Sequence, residues 1–130
     1  MKIKICVIVA NYYPNISKFL LIGAIKALRK NGIRKYKIIK TKGTYEIPVI
    51  ISKIIKKYDA FIALGCVIKG ETPHFDFISA ASTQAIMDLS IHSKKPIGNG
   101  IITCLNKKQA RARADKGKEA AKAVASVLSQ

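Results

Sequence analysis

Four short apolar runs rich in β-branched residues, each followed by a longer stretch with helical spacing, leave this chain very few folds to choose from. The first run, "IKICVIV" at residues 3–9, is nearly continuous in its apolar character, as expected of a strand buried on both faces of a parallel sheet. After the loop "NYYPNIS", Leu20, Leu21, Ala24, Ile25 and Leu28 recur at helical spacing from Ser17 to about Asn31, and Gly32 supplies a stop. A second run, "KYKIIK", leads through "TKGTYEIP" to an apolar-periodic helix from about Val49 to Lys57. The third, "AFIALGCVI", meets "KGETPHF" and a helix running to about His92. The fourth, "IGNGIIT", ends near Cys104, and the Ala-rich "NKKQARARADKGKEAAKAVASVL" that follows is predicted helical with a break near Asp115 to Gly117. Strict strand–helix alternation predicts an α/β fold: a three-layer α/β/α sandwich around a four-stranded parallel sheet. At 130 residues, 49% of them hydrophobic, the chain holds one ordinary core, so residues 1–130 are read as a single domain.

A formal net charge of +17 favours anionic partners in general. The lysines are scattered over expected polar faces (Lys18, Lys26, Lys30, Lys53, Lys56 and Lys57 among them), aromatic content is 7%, and no nucleic-acid-binding motif occurs. Any nucleic-acid binding is therefore expected to be non-specific and salt-sensitive. Cys6, Cys66 and Cys104 are odd in number, lie in or beside apolar segments and lack metal-ligand spacing; they read as buried free thiols in a reducing cytosol, with no metal site. The opening "MKIKICVIVANYY" imitates a signal peptide but lacks a small-residue cleavage site, and no apolar run reaches bilayer length. A soluble, cytoplasmic protein with no membrane partner is expected.

In parallel α/β sheets ligands bind beyond the carboxyl ends of the strands, which nominates "NYYPN", "KGTYEIP", "KGETPH" and "TCLNKKQ" as site loops. Thr72 and Pro73 read as a helix N-cap followed by proline at the first helical position, and the free N–H groups of that turn suit an anion such as phosphate. His74 beside them is either a proton-transfer group or a surface histidine. Glu46 is either an acceptor for ligand hydroxyls and amines or an exposed first-turn glutamate. Tyr12 and Tyr13 can stack on a planar heterocycle or merely cover the core edge, and Arg111 and Arg113 can clamp a phosphate or face water.

The segments "GTYEIP", "ALGCVIKGETPHFDFI" and "NKKQARARADKGKEAA", in this order and spacing, resemble the core motifs of the 6,7-dimethyl-8-ribityllumazine synthase family of riboflavin biosynthesis. The resemblance spans nearly the whole chain and implies a flavodoxin-like sandwich. It also implies condensation of 5-amino-6-(D-ribitylamino)uracil with 3,4-dihydroxy-2-butanone 4-phosphate, releasing phosphate and water without metal or organic cofactor. By similarity, Tyr12 stacks on the pyrimidine, while Thr44, Tyr45 and Glu46 line the ribityl chain. Cys66, Val67 and Ile68 place backbone groups beside the pyrimidine edge, and Glu71 and Thr72 fall at the phosphate-binding turn. His74 matches the proton-transfer histidine, Arg113 the phosphate-binding arginine and Lys116 a neighbouring lysine. Asn99 stands where many members carry an aromatic residue contributed across the subunit boundary.

The resemblance further implies sites shared between neighbouring subunits, hence a homo-oligomer: a pentamer, or two pentamers face to face. Shell-forming members use an N-terminal extension and a longer turn between the last two helices. Here Lys2 and Ile3 are read as already entering the first strand, and "RADKGKE" replaces the longer turn, so no shell is expected.

Overall fold

The computed structural model describes residues 3–130. It contains four strands, β1 (Ile5–Ala10), β2 (Tyr36–Thr41), β3 (Ala60–Ile68) and β4 (Ile97–Cys104). The helices are α1 (Pro14–Lys30), α2 (Ile47–Ile54), α3 (His74–Ser93), α4 (Lys107–Ala112) and α5 (Lys116–Leu128), with a 3₁₀ turn at Thr44–Glu46 before α2. The strands form one sheet in the order β2-β1-β3-β4. All neighbours are parallel, with Ile5 opposite Tyr36 on one side and Ala60 on the other.

Every residue of β1 is buried, because helices cover both faces. On one face Ile5, Val7, Val9, Ile62, Leu64 and Ile102 pack against Leu20, Ala24 and Leu28 of α1 and Ala121 and Val124 of α5. On the other, Cys6, Ile8, Ala10, Phe61 and Ala63 pack against Ile47 and Ile51 of α2 and Ile86 of α3. This is the expected α/β/α sandwich.

Two glycines set how closely the α5 layer approaches its neighbours. A β-carbon on Gly98 of β4 would meet the Ala120 carbonyl and lie 2.9 Å from Val124 Cγ2; one on Gly117, at the start of α5, would run into the backbone of Leu20. By contrast α3, twenty residues long, buries only Ser82 and Ile86 and leaves Phe77, Met87 and Ile91 exposed. None of the described helices is long and apolar enough to cross a membrane.

Several boundaries differ from expectation. β1 begins at Ile5, so Ile3 precedes the strand rather than entering it, and Lys2 lies outside the described residues. α1 begins at Pro14 instead of Ser17: proline needs no N–H partner in the first turn, and the buried Ser17 hydroxyl donates to the Ala10 carbonyl at 2.6 Å, tying the helix start to the strand end. α2 ends at Ile54 rather than Lys57. α3 begins one residue late, so Pro73 is its N-cap rather than its first helical residue, and the Pro73 carbonyl accepts from Asp76 and Phe77. The break between α4 and α5 covers 113–115, slightly ahead of the expected place.

Candidate functional site

The sheet reverses its winding between β1 and β3, since β1 leads outward to β2 while β3 leads the other way to β4. Loops leaving adjacent strands in opposite directions open a crevice above their carboxyl ends. There lies a cleft of about 770 Å³ lined by residues from three strand–helix connections.

The first wall follows β1. The link to α1 is only Asn11, Tyr12 and Tyr13, anchored by Asn11 N–H to Thr41 carbonyl at 2.8 Å and Ser17 N–H to Tyr13 carbonyl at 3.0 Å. So short a link holds both tyrosines at the mouth, their rings edge-on with centroids 4.9 Å apart. Tyr12 is 70% exposed and free to meet a ligand face. Tyr13 is the more enclosed, and its hydroxyl pKa is raised by burial and by the neighbouring Tyr12 and Cys66.

The second wall is the 3₁₀ turn. Gly43 is extended, Thr44 is buried and Pro48 fits the first turn of α2, so "KGTYEIP" is mostly the start of a helix rather than an open loop. The turn can sit on β3 because residue 65 is glycine: a β-carbon there would lie 2.9 Å from Thr44 Oγ1 and 3.1 Å from Ala10 Cβ. Tyr45 and Glu46 are thereby left exposed on the cleft side.

The third wall is the end of β3 and the start of α3. Cys66, Val67 and Ile68 form the floor, followed by Gly70, Thr72 and His74. Thr72 Oγ1 accepts a long hydrogen bond from the His74 N–H at 3.4 Å, in place of the N-cap expected of it. Among the described residues the His74 ring has no hydrogen-bond partner, which leaves both nitrogens available to a ligand. The Cys66 thiol is pushed up to about 12, first by burial and then by Cys104 beside it. Cys104 is also raised by burial, against the opposing pull of the Arg113 guanidinium. At neutral pH both are inert thiols, not nucleophiles.

Nine of the thirteen predicted residues therefore line one cleft: Tyr12, Thr44, Tyr45, Glu46, Cys66, Val67, Ile68, Thr72 and His74. Glu71 lies in the same loop without lining it. Arg113 and Lys116 instead border a separate depression of about 460 Å³ beside β4. Arg113 Nη1 donates to the Thr103 carbonyl at 3.2 Å, and Lys116 Nζ lies 3.6 Å from Glu119 Oε2. Asn99 is half-buried in β4, its Oδ1 accepting the Ile101 N–H at 3.0 Å. The predicted residues thus fall at different places on one chain, nine in the cleft and Arg113, Lys116 and Asn99 away from it.

The family profile described as 6,7-dimethyl-8-ribityllumazine synthase matches residues 2–130. The chain belongs to that family. Relatives named 6,7-dimethyl-8-ribityllumazine synthase include one from Bartonella bacilliformis, 45% identical over 87% of this chain and 76% of the relative. Another, from Cutibacterium acnes, is 38% identical over 97% of this chain and 80% of its own length. A protein named 6,7-dimethyl-8-ribityllumazine synthase 1 from Rhodopseudomonas palustris is 40% identical over 96% and 83%. The lumazine synthase family is a transferase family of riboflavin biosynthesis.

Sequence reasoning missed some of the lining. Lys42, Gly43, Phe75 and Ile78 also border the cleft, as does Tyr13, read with Tyr12 as able to stack on a heterocycle or to cover the core edge. Lys42 and Gly43 stand inside the quoted "TKGTYEIP", so position after a strand was the signal available for them.

Proposed function

We propose that this chain makes 6,7-dimethyl-8-ribityllumazine from 5-amino-6-(D-ribitylamino)uracil and 3,4-dihydroxy-2-butanone 4-phosphate, as one domain over 1–130 acting in the cytoplasm. The observation that carries the reading is the convergence of nine residues nominated from the sequence on one cleft at the winding reversal of the sheet. In this reading Tyr12 stacks on the pyrimidine, Thr44, Tyr45 and Glu46 hold the ribityl chain, and backbone groups of Cys66, Val67 and Ile68 read the pyrimidine edge. Glu71, Thr72 and the first turn of α3 receive the phosphate.

The chemistry follows in order. The uracil's amine adds to the ketone and water leaves as the imine forms; phosphate is eliminated; ring closure expels a second water. Each step moves a proton, for which His74 is the group within the cleft. The phosphate requires a cation, for which Arg113 is suited by its planar, two-pronged donor geometry, with Lys116 beside it. Holding two substrates together supplies much of the rate.

Arg113, Lys116 and Asn99 lie outside the cleft of their own chain, which supports a site completed by a neighbour: a pentamer, or a pair of pentamers, in which the β4 edge of one subunit faces the cleft of the next. The exposed apolar residues of α3 support the same reading, because a partner subunit would cover them. Purified protein mixed with both substrates and no metal is expected to accelerate formation of the product's absorbance above the spontaneous condensation; no acceleration would refute the enzymatic reading. Light scattering coupled to size exclusion tests the assembly, and a stable monomer or a megadalton particle would each refute the pentamer.

A further inference from the structure

The cleft holds a charge that these roles leave unused. Among the described residues lining it, Lys42 is the one side chain with a fixed positive charge, since Arg113 and Lys116 lie at the β4 edge. Lys42 also walls an adjoining depression of about 350 Å³, together with Asn11, Tyr12, Lys40 and Thr41. Tyr12 and Lys42 border both spaces, so the adjoining depression brings a second lysine, Lys40, to the same end of the cleft.

Neither ammonium group has an ion-pair partner among the described residues. The ion pair found among the described residues joins Lys116 to Glu119. Glu46, the acid of the cleft, is folded back over the turn: a β-carbon on residue 43 would sit 2.7 Å from Glu46 Oε1. Glycine at 43 is what lets that carboxylate lie against the backbone instead of reaching Lys42. The β2–α2 connection thus brings to the cleft both an acceptor, Glu46, suited to a polyol, and a lysine with no ion-pair partner among the described residues, suited to an anion.

We propose that Lys42, backed by Lys40, is a specificity-determining residue for the anionic substrate, raising occupancy of the cleft by the phosphorylated four-carbon compound. This rests on the function proposed above. An exposed lysine acts through a screened field, so its effect falls on capture rather than on the bond-making step. It belongs to the same subunit as His74, whereas Arg113 reaches the cleft only from a neighbour.

The test compares Lys42→Glu, Lys42→Arg and Lys122→Glu, the last making the same charge change on α5. Lys42→Glu is expected to raise KM for the phosphorylated substrate by roughly three- to tenfold, with KM for the uracil and kcat changing less than about twofold. Lys42→Arg should restore KM, and added salt should narrow the difference. Equal shifts in Lys42→Glu and Lys122→Glu, or equal shifts for both substrates, would overturn the proposal. A second measurement needs no turnover: acetylation of surface lysines by an activated ester, read by mass spectrometry with and without inorganic phosphate. Phosphate should protect Lys42 and Lys40 but not Lys122. Uniform labelling would overturn the proposal even in an active enzyme, while protection without product formation would overturn the enzymatic reading alone.

Discussion

Replacing Gly117 by alanine should cost the protein about 2 kcal/mol, although the new residue is small and a better helix former. The added β-carbon would lie 2.8 Å from the carbonyl carbon of Leu20 and 3.0 Å from its Cα, and closer still to its oxygen. Carbon atoms pack at about 3.5–4.0 Å and the carbonyl oxygen is the tightest contact, so α5 must withdraw from α1 by roughly 1 Å at its first turn. Leu20, Ala24, Ala121 and Val124 meet across that seam. A gap of this size forfeits a quarter to a half of the dispersion energy of each contact it opens, which places the cost at about 1–3 kcal/mol. The helix-propensity gain offsets little, because residue 117 sits in the first turn of α5, where fewer hydrogen bonds depend on it. For a chain of this size about 2 kcal/mol corresponds to a fall in Tm of roughly 6–12 °C. Scanning calorimetry at matched protein concentration measures it, with Gly70→Ala for comparison, since no atom lies within 4 Å of the β-carbon position there. If Gly117→Ala melts within about 1 °C of both Gly70→Ala and the parent, the close approach of the two helices is not a packing constraint and the reasoning fails.

Alkaline pH should weaken the fold. Burial raises the Cys6 thiol from 9.0 to about 11 and Cys66 to about 12, so the folded chain retains protons that the unfolded chain releases. Their contribution is intact below pH 9 and is lost as pH rises through 11 and 12, on the order of 1–3 kcal/mol for each; urea midpoints should decline across that window, and Cys6→Ala should flatten the decline. The shared site can be tested by complementation. Arg113→Ala should reduce use of the phosphorylated substrate by roughly 10- to 100-fold, and His74→Ala should lower turnover while both ligands still bind. Rings reassembled from a mixture of the two variants should regain part of the activity, because some sites then pair an intact His74 with an intact Arg113, and mixtures no better than the separate variants would count against sites shared between chains.

The architecture was legible where one signal dominated. β3 falls on "AFIALGCVI" as read, because an unbroken apolar run at the sheet centre leaves the chain no alternative face to expose. Termini were less legible: the Ser17 hydroxyl bonds across seven residues to Ala10, so the start of α1 depends on a contact that helical periodicity does not encode. The turn at Thr44–Glu46 likewise depends on Gly65, twenty-one residues away, leaving room for Thr44. For the site, the resemblance nominated the cleft residues and implied that some partners come from a neighbouring subunit; the distance of Asn99, Arg113 and Lys116 from the cleft within one chain has its physical reason in β4 lying at the sheet edge, beyond β3 from β1. Lys42 lies in a nominated strand-to-helix loop, but one lysine among many scattered ones carries no signature of its own there; the cleft lining is what singles it out.

The two margins of the sheet have a bearing on the life of a newly made chain. A bare strand margin is a template on which any passing extended segment can polymerise. Along β2 the deterrent is charge, with Lys37 and Lys40 projecting into solvent. Along β4 it is chemical occupancy: the Asn99 side chain accepts from the Ile101 amide and the Arg113 guanidinium donates to the Thr103 carbonyl. A newly folded chain therefore has part of its adhesive margin already satisfied by its own side chains, which leaves fewer free groups there for a passing extended segment to capture.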